Sequence, residues 1–196
     1  MTICNFFEKN NSYFESARQC TVCEKHLPLA PRPVFQGCAE SRILIIGQAP
    51  GIKAHDSATP WNDASGDRLR YWMGVDRDAF YNERLFALIP MGFCYPGKGK
   101  SGDLPPRPEC APLWHERLFR QMKVGTTLLI GQYAQNYYLK DKRTLTERVK
   151  DWRDYLPDYY VLPHPSPRNN IWLKKNPWFE GEVIPAMRES IAGLQV

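Results

Sequence analysis

Four short runs of almost uninterrupted apolar residues mark the chain, at 42–46, 85–89, 127–130 and 159–162. Strands buried on both faces read this way, without the alternation of a half-exposed sheet, so the runs predict strands of a parallel sheet. Segments of helical character lie between and after them, at 65–73, 111–122, 132–139, 145–155 and 178–192. This alternation implies a three-layer α/β/α sandwich around a four-stranded, mostly parallel sheet with right-handed crossovers. The first forty residues predict a helical or irregular appendage packed on the sheet. Segment 95–108 carries four prolines and three glycines, which predicts an ordered loop rather than a helix.

Composition narrows the class. A chain of 196 residues suits one domain with a full core, and 43% apolar residues argue against wholesale disorder. No apolar run is long enough to span a bilayer. The stretch from Met1 to Lys9 contains Phe6 and Phe7 but no basic segment followed by an apolar one, unlike a secretory signal. The expectation is a cytoplasmic monomer with no membrane partner. The net charge of +5 is compatible with a polyanionic partner without proving one. Basic residues gather in two places, Lys98, Lys100 and Arg107 in one and Arg168, Lys174 and Lys175 in the other. The plain alternative is a pair of solvated loops.

Two segments carry candidate chemistry, both at the carboxyl ends of predicted strands, where open α/β sheets bind ligands. After the first strand comes Gly47-Gln48-Ala49-Pro50-Gly51, leading to Trp61-Asn62-Asp63-Ala64-Ser65-Gly66-Asp67. The glycines allow a tight turn and a close approach to a ligand, and Pro50 stiffens it. Asp63 or Ser65 can cap the next helix, so an ordinary strand-to-helix turn is the competing reading. After the fourth strand comes Pro163-His164-Pro165-Ser166-Pro167-Arg168-Asn169. Three prolines in five residues make a rigid loop that positions something, with His164 either a structural histidine or the group positioned.

Of six cysteines, Cys20 and Cys23 form a C-x2-C pair, and Cys94 and Cys110 have fifteen residues between them, most of them in the proline- and glycine-rich segment. A cytoplasmic chain does not normally use these as disulfides. By spacing alone Cys20, Cys23, His26 and Cys38 also form a plausible zinc knuckle, but that leaves Cys94 and Cys110 unexplained. Cys4 and Cys38 read as ordinary thiols.

From Cys20 to about Trp178 the chain resembles the uracil-DNA glycosylase superfamily. Gly47-Gln48-Ala49-Pro50-Gly51 is similar to the first motif of the iron–sulfur family four. Asp63-Ala64-Ser65-Gly66-Asp67 resembles family five, and His164-Pro165-Ser166-Pro167-Arg168-Asn169 resembles the single-strand-selective monofunctional glycosylases. Cys20, Cys23, Cys94 and Cys110 resemble the [4Fe–4S] ligands of families four and five. Four thiolates suit such a cluster or structural zinc, and the resemblance points to the cluster. It also departs from the family. Pro90 stands where uracil-specific members carry an asparagine, and Ala49 where family one has an aspartate, which puts strict uracil reading in doubt.

The resemblance implies an enzyme that flips a damaged base out of DNA and hydrolyses its N-glycosidic bond in base excision repair. His164 would stabilise the departing base anion. Gln48 and the backbone around Gly47 and Ala49 would hold the base edge. Trp61 would stack on the base, or else pack in the core. Asp63 would position water, or else serve as a helix cap, with His55 and Asp56 as substitutes. Ser166, Arg168, Asn169, Lys98 and Lys100 would grip DNA. Asn170 would help hold the strand, and Arg107 would shield the metal loop. The metal would tie the appendage to segment 95–108.

Three other readings compete. One is a nucleotide-binding hydrolase or transferase, suggested by Gly97-Lys98-Gly99-Lys100-Ser101-Gly102, which lacks the P-loop pattern. The second is a DNA-binding relative that has lost activity. The third is a glycosylase that traps DNA covalently through His164.

Overall fold

The computed structural model describes residues 12–194; Cys4 and the segment Met1 to Lys9 lie outside them. In chain order the elements are α1 (Ser12–Arg18), β1 (Ile43–Ile46), α2 (Ile52–Ser57), α3 (Ala64–Met73), α4 (Arg77–Phe80), β2 (Phe86–Leu88), β3 (Lys98–Gly99) and β4 (Gly102–Asp103). They continue with α5 (Cys110–Phe119), β5 (Thr126–Ile130), α6 (Gly131–Tyr138), α7 (Leu145–Lys150), β6 (Tyr159–Leu162), α8 (Asn170–Lys175) and α9 (Ile184–Leu194).

The main sheet has strand order β2-β1-β5-β6, and every strand pair in it is parallel. The expectation of a mostly parallel sheet is thus met in full. One antiparallel bridge, Gln36 with Leu88, lies outside the named strands. It places the end of the appendage along β2, where the Gln36 amide also donates to the carbonyls of Phe80 and Phe86. All four residues of β1 are buried, so both faces of the sheet are covered. The β1-to-β2 connection runs one way across the sheet and the later ones run the other. Right-handed crossovers therefore put α3 on one face and α5, α6 and α7 on the opposite face. Helix α9 packs on α3, and α1 packs on α5.

Each predicted strand and helix has a counterpart, with three differences of local origin. The helix expected over 145–155 starts with a Thr144–Glu147 capping box but stops at Lys150. A 3-10 turn then brings Trp152 inward to stack on Tyr160, ring centroids 5.6 Å apart. The closing helix opens with a π-helical turn at Phe179–Val183, because Pro185 has no amide to close the usual bond in that turn. Segment 95–108 contains an antiparallel two-residue ribbon, Lys98 opposite Asp103 and Gly99 opposite Gly102. The glycine-rich stretch is therefore a hairpin and not a strand-to-helix phosphate cradle. Among the described residues no helix is long and apolar enough to cross a membrane.

Candidate active site

A cleft of about 510 Å³ lies beyond the carboxyl ends of the strands. Gly47 to Gly51 wall it after β1, Pro90 after β2, Tyr133 after β5, and His164, Ser166, Arg168 and Asn169 after β6. Trp61 and Asp63 add to this wall. The convergence follows from the parallel sheet, which delivers all four strand ends to one edge.

Local sterics fix Trp61. A Cβ at position 47 would lie 2.6 Å from Cζ2 of the indole, and one at position 66 would overlap the Trp61 carbonyl oxygen. Trp61 itself has a left-handed backbone, φ 57°, a conformation costing about 1–3 kcal/mol in a non-glycine residue. Two glycines thus admit the indole and its backbone at the cost of strain. The ring packs against the core on one side and lies 5.7 Å from the His164 ring at 31°. The indole therefore packs on the core and lines the cleft at once.

Asp63 caps α3, its Oδ1 accepting from the Gly66 amide at 2.9 Å. Its carboxylate also faces the cleft. His164 is held at both ends. Its Nδ1 accepts from the Ser166 amide at 3.2 Å, and its carbonyl accepts from Asn169 Nδ2 at 2.7 Å. With Nδ1 accepting, the proton of the neutral ring sits on Nε2. Burial pulls the imidazole below its usual pKa, and the Asp63 charge partly opposes that.

The ribbon closes one side of the cleft. Arg168 donates to the Ser101 carbonyl at 2.5 Å. Gly102, at φ +147°, leaves room for that guanidinium, since a Cβ there would sit 2.5 Å from Nη1. Lys98 and Lys100 are exposed on this ribbon and stand outside the cleft wall. Asp103, absent from the residues expected here, faces the cleft. Burial pushes its carboxyl up against the pull of Arg168 and Lys98, and the Asp63 charge adds to the rise. The sequence signal for Asp103 was its place at the end of a glycine-rich turn, which reads equally as solvated loop.

At Pro90 the cleft has no side-chain amide. Its carbonyl accepts from His115 Nε2 at 3.0 Å, and His115 Nδ1 is bonded to the Tyr138 hydroxyl. Burial lowers the His115 pKa to about 4. His55 and Asp56 lie off the cleft wall. His55 is buried beside Tyr95, and its Nδ1 has no hydrogen-bond partner among the described residues.

The cysteine pairs meet across the fold. Cys20, Cys23, Cys94 and Cys110 line one cavity of about 20 Å³, with Arg107 on its wall. The Trp114 indole N–H donates to Cys20 Sγ at 3.3 Å, and the Phe93 amide donates to Cys110 Sγ at 3.3 Å. Burial pushes the Cys94 thiol up to about 11 and Cys110 up to about 12. Among the described residues no group of three or more His, Cys, Asp or Glu side chains forms a site that could hold a metal ion. Cys38 stands apart, buried with its thiol against the Glu83 carbonyl, so the alternative knuckle is not assembled.

Fold and cleft together define an open, parallel α/β domain with a cleft at the strand ends. Residues 34–188 match the Uracil DNA glycosylase superfamily, and the protein belongs to it. Membership carries a DNA glycosylase-like function in general terms, in a family that acts on DNA.

Proposed function

We propose that the protein is a DNA glycosylase that hydrolyses the N-glycosidic bond of uracil or a related deaminated base in base excision repair. The observation carrying this reading is that Trp61, Asp63 and His164 line a single cleft at the strand ends. Extruding the nucleotide from a duplex costs a few kcal/mol, least for a mispaired or single-stranded base. Trp61 offers a stacking face worth about 1–3 kcal/mol whatever the base. Gln48, with the backbone of Gly47 and Ala49, holds the base edge.

As the C1′–N bond breaks, its electron pair leaves with the base. The Nε2–H of His164 points its dipole at the oxygen where that charge develops. Water adds to the sugar carbon, and Asp63 takes its proton. The cap bond occupies only Oδ1. Ser166, Arg168 and Asn169 hold the phosphates, with Lys98 and Lys100 contributing from the ribbon. Pro90 and Ala49 put no polar side chain on the base, which favours tolerance among deaminated bases over strict uracil reading.

The four cysteines are proposed to hold a [4Fe–4S] cluster. The donor set is four thiols lining one cavity, two of them accepting N–H bonds; burial holds Cys94 and Cys110 protonated, so loading the group would release their protons. A lone zinc would draw all four sulfurs to about 2.3 Å from one point. A cluster would spread them over several irons, and the likeness of this cysteine pattern to families four and five is what favours it. The group supplies stability and shape, and no step of base release runs through it.

Single-turnover assays on single- and double-stranded oligonucleotides carrying uracil, hypoxanthine or xanthine test the activity. Abasic product is expected from at least one. Tight binding without product would instead favour an inactive DNA-binding relative. A broad absorbance band near about 400 nm with bound iron is expected of anaerobically purified protein; zinc alone would replace the cluster in this account.

A further inference from the structure

A second cavity, of about 380 Å³, adjoins the cleft and shares Gln48, Tyr133, His164 and Asn169 with it. Beyond that common wall it is lined by Trp172 on α8, with Gln132 and Thr146 as polar neighbours. Trp172 is held firmly: its indole N–H donates to Thr146 Oγ1 at 2.8 Å, and its ring meets Trp178 and Phe179 edge-on. Fixed aromatic faces of this kind are platforms for nucleobases, whose stacking is indifferent to sequence. The stretch that carries Trp172 also carries Arg168, Lys174 and Lys175, charges suited to a phosphodiester backbone.

We propose that this cavity is a second nucleotide subsite, which takes the unstacked base adjoining the target nucleotide in a single-stranded or locally opened DNA strand. The inference rests on the glycosylase reading for the identity of the first cleft. His164 and Gln48 then act as a partition, with the target base on one side and its neighbour on the other. An enzyme built this way holds two successive bases out of the stack, and an intact duplex offers only one at the cost of flipping. The cavity accordingly favours single strands.

Fluorescence anisotropy with short single-stranded oligonucleotides tests this. Each carries a tetrahydrofuran abasic residue to occupy the first cleft. The nucleotide on its 5′ or 3′ side carries either a base or a second tetrahydrofuran. Removing the neighbouring base on one side is expected to weaken wild-type binding by about tenfold. The Trp172→Ala variant is expected to lose that dependence, and Trp172→Phe to retain it. Equal wild-type affinity for all four strands would overturn the proposal, whether or not the variants fold. Full dependence in a folded Trp172→Ala protein would overturn it too. Base release from a uracil strand is measured separately. Its absence would sink the glycosylase reading alone, because anisotropy still decides the subsite.

Discussion

The amide of Ser166 donates to Nδ1 of His164 at 3.2 Å, within a loop stiffened by Pro165 and Pro167. This bond needs an unprotonated Nδ1, and burial keeps the ring neutral by drawing its pKa below the usual histidine value. Base release should therefore be constant from neutral pH upward. It should fall with acidification through a value below about 6.5, as protonation breaks the Ser166 bond. His164→Ala should lower single-turnover rates by about a hundred- to a thousandfold. A rate that rises on acidification would contradict the neutral-imidazole role.

Asp63 carries two duties that substitution separates. Asn at 63 retains an oxygen to accept from the Gly66 amide, so stability should stay close to wild type while the rate of base release drops sharply. Ala at 63 removes the cap as well and should cost about 1 kcal/mol of stability. Chemical denaturation beside single-turnover kinetics distinguishes the pair; unchanged rates in Asp63→Asn would reduce Asp63 to a cap.

Gly47→Ala should act through Trp61. The new Cβ would fall 2.6 Å from the indole, which must swing into the space meant for a base. Binding of abasic DNA and base release should both weaken, and pairing Gly47→Ala with Trp61→Phe should recover part of the loss. An additive double variant would show that the contact does not matter.

His115 predicts the acid limb of stability. Its folded pKa near 4 lies below the ordinary 6.5, so its contribution is complete above the unfolded value and is lost as pH falls toward the folded one. The loss amounts to about 3 kcal/mol. Urea denaturation at neutral and acid pH measures it. His115→Phe should flatten this limb while lowering stability at neutral pH, since Pro90 and Tyr138 lose their partner.

Cys94→Ala should lower both thermal stability and DNA affinity, because the cysteine cavity joins the appendage to the turn after β2. Wild-type values of both would remove the metal from the account.

Much of this was legible along the chain. The apolar runs reported four buried strands because a strand covered on both faces admits few polar residues. The turn from Gly47 to Gly51 and the loop around His164 stood out because glycine and proline restrict backbone shape locally. Asp103, Tyr133 and the ribbon carried no comparable signal. Two-residue strands have no periodicity, and a tyrosine on a helix reads as packing. The partnership of His115 with Pro90 joins residues 25 positions apart, a distance at which local pattern is silent.

By itself, then, the sequence determined the elements, their order and the motif residues, since these depend on backbone preference and burial within a few neighbours. Tertiary structure decided which of those residues share a space. It set Trp61 between two glycines and against His164, latched the ribbon to Arg168, put the four cysteines on the wall of one cavity, and opened a second cavity behind the first. Each of these depends on packing between segments distant in the chain, where contact is fixed by the shape of the assembled sheet and helices.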